Sequence, residues 1–570
     1  MVKRERRETM TKKPLPVGVE DFEKLIRNHY YYVDKTLFIR ELLDKKGDVS
    51  LFTRPRRFGK TLTLSMLKYF FENTGNEEKN RQNRNLFEGL AICSAGDIYT
   101  EQMGKYPVIS ISLKSTKQPD FSQAFYAVQE AVSQVYKLHE PFLDKMNLNP
   151  QEELRYIRMT RMEAAREECN TSLRFLSECL YRVYKSKVII LLDEYDVPLE
   201  NAYFSGFYNE MAEFVRSLLE SALKTNPYLE FAVITGCLRI SKESIFTGLN
   251  NLDINSILAV SYGEYFGFTQ AEVEQMLLYY GCEDKKDIMR HWYDGYCFGD
   301  EEVYNPWSVI KFTKDLCADR EAFPSPYWAN TSSNSIVRGL VERSDISVRG
   351  ELESLIEGNT IEKPVHEDIT YEDVYQSEDN LWNFLFFTGY LKQTGRRMVG
   401  ETQYIEMAIP NAEVRYIYKN TILSWFDRKI RDTDLSQLYE AIENGDFMVM
   451  EEQISRQLQD TISFYDYAES YYHGFLTGIL KNISKYRILS NRESGKGRPD
   501  IILKTPSIRG QAVILEIKVS GKFSDMEKMC MSALRQIEEQ KYDAELRNEG
   551  YTNILKYGIC FYKKECMVRM

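Results

Sequence analysis

The stretch "LFTRPRRFGKTLTLSML", Leu51–Leu67, runs through Gly59-Lys60-Thr61. That tripeptide is the tail of the phosphate-binding loop G-x-x-x-x-G-K-[ST], yet this chain carries Arg54 where the pattern wants its first glycine. Such a loop needs a buried strand before it and a helix after it. "DVSLFTR", Asp48–Arg54, supplies a short β-type run, and in "TLTLSMLKYFFE", Thr61–Glu72, the residues Leu62, Leu64, Met66, Leu67, Phe70 and Phe71 recur at helical spacing. The loop between them would aim backbone N–H groups and a helix N-terminus at an anion. Lys60 would reach the β- and γ-phosphates and Thr61 would ligate Mg²⁺. Taken alone, the tripeptide reads equally well as the incidental start of an ordinary helix.

A second stretch shifts that balance. "KVIILLDEYDVPL", Lys187–Leu199, is a continuous apolar run ending in Asp193-Glu194. Such a run predicts a strand buried on both faces, as in parallel sheets, with its acids at the C-terminal end where these sheets bind ligands. Asp193 would hold the Mg²⁺ shell and Glu194 would polarise the attacking water, the alternative being a strand capped by surface acids. "YPVISISL" (Tyr106–Leu113), "LEFAVITG" (Leu229–Gly236) and "NSILAVSY" (Asn255–Tyr262) read as three further strands. One lies between the two motifs, as the additional-strand class of P-loop ATPases requires. In "TGCLRISKESIF", Thr235 would sense the γ-phosphate. Arg239 reads as a sensor, as a finger toward a neighbouring subunit, or as half of a structural ion pair.

With "LPVGVEDFEKLIRNHYYYVDKTLFIRELLD" and "ITGCLRISKESIFTGLNNL" added, the chain resembles the AAA-ATPase-like family of bacterial proteins. That resemblance implies an ATP-binding ASCE fold over roughly residues 14–270. It also implies that Arg54 belongs to the family's own P-R-R-F-G-K-[ST] form of the loop. Gly59 keeps the position where backbone must approach phosphate, and Arg54, Arg56 and Arg57 add positive charge beside it. Which of the three meets phosphate stays open, with Arg57 taken as the candidate.

"GKGRPDIILKTPSIRGQAVILEIKVSGK", Gly495–Lys522, carries the other chemistry. Asp500 starts one apolar strand, and a turn with Pro506 and Gly510 leads into another, "AVILEIKV". Glu516 and Lys518 share one face of the second strand, and a hairpin brings Asp500 beside Glu516. Burying such charges is costly unless they pair or meet a cation. Two converging carboxylates and a lysine suit Mg²⁺ or Mn²⁺, which would activate water against a phosphodiester, with Lys518 positioning the nucleophile and offsetting charge. The alternative is a structural hairpin with a Glu–Lys surface ladder. The pattern P-D-(x)15-E-x-K resembles the PD-(D/E)XK nuclease superfamily. The resemblance implies a further metal-binding acid at Glu469, and site-facing Gln536 and Tyr542 on the following helix; His473 reads as a packing or substrate-side residue.

Between these centres the sequence is less specific. Residues 271–375 read as mostly helical, with Thr269 capping "TQAEVEQMLLYY", and the aromatic stretch "HWYDGYCFGDEEVYNPWSVIKF" suits core packing. A helix, hairpin and helix over 376–430 suggest a winged-helix module, whose hairpin tip offers only Arg396 and Arg397 for DNA. At 570 residues the chain exceeds one core, and its net charge of −11 argues against a generally basic nucleic-acid coat, though not against a local basic groove. Ten scattered cysteines without a C-x-x-C pair and five dispersed histidines predict free thiols and no zinc site. No apolar run reaches membrane-spanning length, and no apolar h-region follows the basic start, so a membrane span and a secretory signal are not expected.

The expected fold class is α/β multidomain: a basic tail at 1–13, a P-loop ASCE ATPase with a parallel sheet at 14–270, a helical lid at 271–375, a winged-helix-like module at 376–430 and an α/β PD-(D/E)XK nuclease-like domain at 431–570. The expected function is a cytoplasmic bacterial hydrolase that binds ATP and Mg²⁺, hydrolyses ATP, and cuts nucleic acid, DNA ahead of RNA, without a membrane partner. The alternatives are an ATP-driven switch whose nuclease-like domain only holds nucleic acid, and a winged-helix regulator with vestigial chemistry. If Arg239 completes a neighbour's site, a homo-oligomer follows.

Overall fold

The computed structural model describes residues 12–45, 47–239, 246, 250–328, 346–365, 367, 371, 373–374, 377–420, 434–459, 469–481, 483–490 and 499–570. The chain divides into two compact units, Met1–Ser333 with Thr360–Ile417, and Asn334–Asn359 with Tyr418–Met570. The segment read as a winged-helix module is thus divided at Ile417. Among the described residues, no helix is long and apolar enough to cross a membrane.

The first unit is built on β1 (Val49–Thr53), β2 (Val108–Ser112), β3 (Val188–Asp193), β4 (Leu229–Gly236) and β5 (Leu252–Asn255), ordered β2-β3-β4-β1-β5 with every neighbouring pair parallel. Every residue of β1 and β3 is buried, which is why both read as apolar runs without alternation. Helix α1 (Lys60–Phe71) follows β1 and buries Leu64, Leu67, Phe70 and Phe71. The Phe71 ring meets Phe231 of β4 edge-on, with centroids 5.4 Å apart. Because β4 lies between β3 and β1, the C-terminal ends bearing Asp193, Thr235 and the Gly59 loop are adjacent.

The expected strand over 255–262 is displaced. The pairing β1–β5 runs from Val49↔Leu252 to Phe52↔Asn255, and residues 256–262 form turns. Past Asn255 the neighbouring chain leaves the sheet for the phosphate loop, so no backbone remains to pair with. Ile257 and Tyr262 are buried from turns instead, which accounts for their apolar character. The fourth strand and the helix capped by Thr269 fall where the sequence puts them; Thr269 and Glu272 form a reciprocal capping box at Gln270–Tyr280.

The aromatic stretch read as core is partly a hairpin. β6 (Phe268–Thr269), β7 (Tyr296–Phe298) and β8 (Glu301–Tyr304) form a small sheet ordered β6-β8-β7, before helix α2 (Pro306–Ala318). Farther on come β9 (Ile361–Pro364), helix α3 (Glu378–Phe387), β10 (Lys392–Val399) and β11 (Thr402–Ala408), then helical residues 412–420. Both arginines at the β10–β11 hairpin have acidic neighbours: Arg397 pairs with Glu362, and Arg396 lies 3.8 Å from Asp300. The expected continuation to Phe426 lies outside the described residues.

The second unit holds a mixed sheet of β12 (Arg487–Ser490), β13 (Ile501–Lys504), β14 (Gln511–Val519), β15 (Asn553–Tyr562) and β16 (Glu565–Arg569), in sequence order. Side chains alternate between its faces. Leu503, Val513, Leu515 and Ile517 pack with Tyr472, Phe475 and Leu476 of helix α4 (Glu469–Leu480). On the other parity, Ile502, Ala512 and Ile514 pack with Ile537 of helix α5 (Met526–Glu539) and with Tyr542. This second face is the one that carries Glu516 and Lys518.

Gly558 of β15 is the register partner of Glu516, and a Cβ there would lie 2.3 Å from the Cys530 carbonyl oxygen of α5. Glycine therefore sets how closely α5 approaches the sheet beside Glu516. Gly558→Ala is expected to destabilise the second unit by about 1–3 kcal/mol through overpacking. Urea unfolding reads this, and an unchanged midpoint would disprove the close approach.

Candidate functional site

The phosphate loop spans the gap between β1 and α1. Its left-handed residues are Arg57, φ 72°, and Gly59, φ 85°, and Arg54 is not among them. The missing first glycine therefore costs no backbone freedom. A Cβ on Gly59 would meet no atom within 4 Å, so glycine serves the sign of φ here and leaves open space in front of α1.

Arg54 does not join the loop's positive charge, contrary to the expectation from sequence. Its side chain is fully buried, donates to the carbonyls of Thr53 (2.9 Å) and Asn255 (2.7 Å), and lies over the rings of Phe266 and Phe298 at 5.1 and 5.0 Å. Burial pulls its pKa down to about 9. Arg54 thus wedges β1 against the end of β5. Arg56 is tied to Glu200, itself almost buried. Arg57 lines the cavity with no buried acidic partner among the described residues, its guanidinium 4.5 Å from the Trp307 ring and 3.5 Å from the half-exposed Glu20.

Lys60 is buried and donates to two carbonyls of its own loop, Arg54 (2.8 Å) and Pro55 (2.9 Å), with Cys237 Sγ at 3.7 Å. The Thr61 hydroxyl donates to Asp193 Oδ2 at 2.8 Å, and the Thr235 hydroxyl to Asp193 Oδ1 at 2.6 Å. Thr61 on α1 and Thr235 at the end of β4 thus share the carboxylate at the end of β3. Glu194 follows at φ 52°, a left-handed conformation that turns it into the cavity, and burial raises its pKa. Arg239 lies 3.7 Å from Glu367, which favours the ion-pair alternative for it, and it does not line the cavity.

The cavity in front of α1 has a volume of about 420 Å³. Its lining combines charged and polar residues, among them Arg56, Arg57, Lys60, Thr61, Lys114 and Glu194, with apolar and aromatic ones, among them Tyr31, Tyr32, Val33, Pro306, Trp307 and Ile310. That mixture suits a phosphorylated ligand with a planar apolar body. Sequence reasoning missed Trp307, assigned to the core with its aromatic neighbours, and Lys114. The available signal for Lys114 was its position just past the C-terminal end of β2. A buried acid anchors the residue after Trp307: Glu413 accepts from the Ser308 hydroxyl (2.9 Å) and the Trp328 backbone N–H (2.8 Å), and burial pushes its pKa up to about 8.

Asp196, also missed, accepts backbone N–H groups of Cys237 (2.7 Å) and Leu238 (3.1 Å) and so fixes the turn after Thr235.

In the second unit the antiparallel pair Ile501↔Leu515, extended by one residue, sets Asp500 opposite Glu516. Asp500 Oδ2 accepts from the Ile517 N–H at 2.8 Å, and its carbonyl lies 3.0 Å from His473 Nε2. Glu516 is 2% exposed; Oε1 lies 3.2 Å from Lys518 Nζ, while Oε2 has no hydrogen-bond partner among the described residues. Burial, and then the charge of Asp500, raise the Glu516 pKa from an ordinary 4.5 to about 7. An orphaned, buried carboxylate oxygen beside a second acid fits a divalent cation with oxygen ligands. Among the described residues, no group of three or more His, Cys, Asp or Glu gathers as a metal site. Glu469 opens α4 and its side chain lies outside the described residues. Gln536 Nε2 donates to the Tyr542 hydroxyl at 3.2 Å, on the same face of the sheet as Glu516.

Residues 16–246 match the family model described as "Predicted AAA-ATPase", and residues 467–570 match the PD-(D/E)XK nuclease superfamily. The chain thus joins an AAA-ATPase-like domain to a domain of the PD-(D/E)XK nuclease superfamily. A protein of Azotobacter chroococcum mcd 1 described as "Uncharacterized protein in vnfD 5'region" is 26% identical over 417 residues, 73% of this chain and 70% of its own length.

The raised Glu516 pKa has a consequence for stability. Native protein holds this proton more tightly than unfolded chain, so the associated stabilisation is complete below the unfolded pKa and is lost as pH rises through about 7. In chelator, Glu516→Gln should match wild type near pH 4 and exceed its stability by about 1–3 kcal/mol at pH 8. Mg²⁺ or Mn²⁺ at pH 8 should stabilise wild type and not the variant. Parallel pH profiles for the two proteins would contradict the assignment.

Proposed function

We propose that the first unit binds and hydrolyses ATP with Mg²⁺, and that the second cleaves phosphodiester bonds in nucleic acid, DNA ahead of RNA. The observation that carries the first half is the sharing of Asp193 by Thr61 and Thr235 beside the Gly59-Lys60 loop. A strand-end carboxylate held by the loop's own hydroxyl is the ligand set that a nucleotide-bound cation needs. The loop N–H groups and Lys60 bind the phosphates, Thr235 lies at the far side of Asp193, and Glu194 orients the attacking water. Tyr31 and Tyr32 give the base an apolar seat.

For the second half, the support is the convergence of Asp500 and Glu516 with Lys518 at 3.2 Å from Glu516. When bound, a divalent cation supplies Lewis acidity at the scissile phosphate and a more acidic attacking water. Asp500 and Glu516 hold it, and the Lys518 ammonium offsets negative charge that develops on the phosphate. Gln536 and Tyr542 line the same face. The cytoplasm of a bacterium is the setting this reading implies, with a homo-oligomer only if an arginine reaches a neighbour's nucleotide.

The test is cleavage of supercoiled DNA, single-stranded DNA and RNA with Mg²⁺ or Mn²⁺, with and without ATP. Asp500→Ala and Lys518→Ala should each slow cutting by about a hundred-fold or more. Lys60→Ala should weaken ATP binding by about ten-fold or more. Loss of cutting in Lys60→Ala as well would mean that ATP gates the nuclease. ATP turnover without cutting of any substrate would leave a nucleotide switch whose second unit only holds nucleic acid.

A further inference from the structure

The stretch "LPVGVEDFEKL", Leu15–Leu25, has no role so far, yet it delivers Glu20 to the wall of the nucleotide cavity. The Glu20 carboxylate lies 2.7 Å from Lys114 Nζ and 3.5 Å from Arg57 Nη1. Both cations also line the cavity. Arg57 stands in the phosphate loop itself, two residues before Gly59. Lys114 follows β2, whose neighbour β3 ends at Asp193, and its charge acts on Glu194, on the side where water would attack. A carboxylate held between two cations in front of a phosphate loop is an anion site with an internal anion in it.

We propose that Glu20 occupies, in the nucleotide-free chain, the position of the terminal phosphate of a triphosphate, and that Arg57 and Lys114 are the residues that favour tri- over diphosphate. The inference rests on the ATP-binding reading. The remaining cations of the cavity are committed differently. Lys60 is bound by its own loop's carbonyls, Lys35 pairs with Glu272, and Arg56 and Lys117 both turn to Glu200, whose side chain is 7% exposed. Glu20, by contrast, is 41% exposed and Lys114 50%, so water screens their pair and an incoming phosphate displaces it at small cost. A diphosphate ends at Lys60 and Thr61 and leaves the pair in place. A triphosphate carries further negative charge to the two cations and turns Glu20 out. Arg57, stacked on Trp307, is already oriented for that contact.

The experiment titrates full-length protein with fluorescent ATP and ADP in Mg²⁺, comparing wild type, Lys60→Ala, Glu20→Gln, Arg57→Gln and Lys114→Gln, with thermal unfolding as the check on folding. Glu20→Gln should tighten ATP about three- to ten-fold and move ADP by less than about two-fold. Arg57→Gln and Lys114→Gln should each lower the ATP-over-ADP preference by about five-fold or more. Glu20→Gln weakening ATP, or shifting ATP and ADP alike, overturns the proposal. Wild type and Lys60→Ala differing while Glu20→Gln matches wild type sinks this inference alone. A folded wild type that binds neither nucleotide sinks the ATP reading with it.

Discussion

Asp193 is the carboxylate on which the first unit turns. Its two oxygens accept the hydroxyls of Thr61 and Thr235, so one side chain ties the helix after the loop to the ends of two adjacent strands. It is 4% exposed, and a buried charge of that kind persists only where its hydrogen-bonding capacity is met. The parallel sheet satisfies that condition by strand order. With β4 set between β3 and β1, Asp193 and its two partners arrive at one edge, and the loop, Glu194 and the cavity take their positions from it.

The second unit meets the same problem with a different outcome. Glu516 is buried as deeply as Asp193, yet one of its oxygens has no hydrogen-bond partner among the described residues and Asp500 adds like charge beside it. Lys518 offsets part of this at 3.2 Å. The contrast separates a carboxylate whose two oxygens are both met from one with an oxygen left over among the described residues, and the second is where the proposed divalent cation would sit.

Legibility in the sequence followed backbone pattern more closely than side-chain direction. The apolar run ending in Asp193-Glu194, the helix after Thr61 and the Asp500–Glu516 hairpin were readable because periodicity and spacing encode them. The displaced fifth strand was not, since Ile257 and Tyr262 are apolar for burial in turns rather than for pairing. Arg54 misled for a related reason: charge beside a phosphate loop is visible in one dimension, but its donation to the Asn255 carbonyl joins residues some two hundred positions apart. Trp307 was hidden among aromatics that do form core, and only its neighbours in space set it apart.

The backbone of Arg57 has a consequence of its own. A side-chain-bearing residue at φ 72° stores strain of order 1 kcal/mol that glycine would relieve. The chain keeps an arginine there, where the guanidinium meets Trp307 and the cavity mouth. Stability and chemistry therefore pull in opposite directions at this one position. Selection for thermal robustness alone would drift it toward glycine, producing a sturdier loop with a poorer grip on whatever it was built to hold.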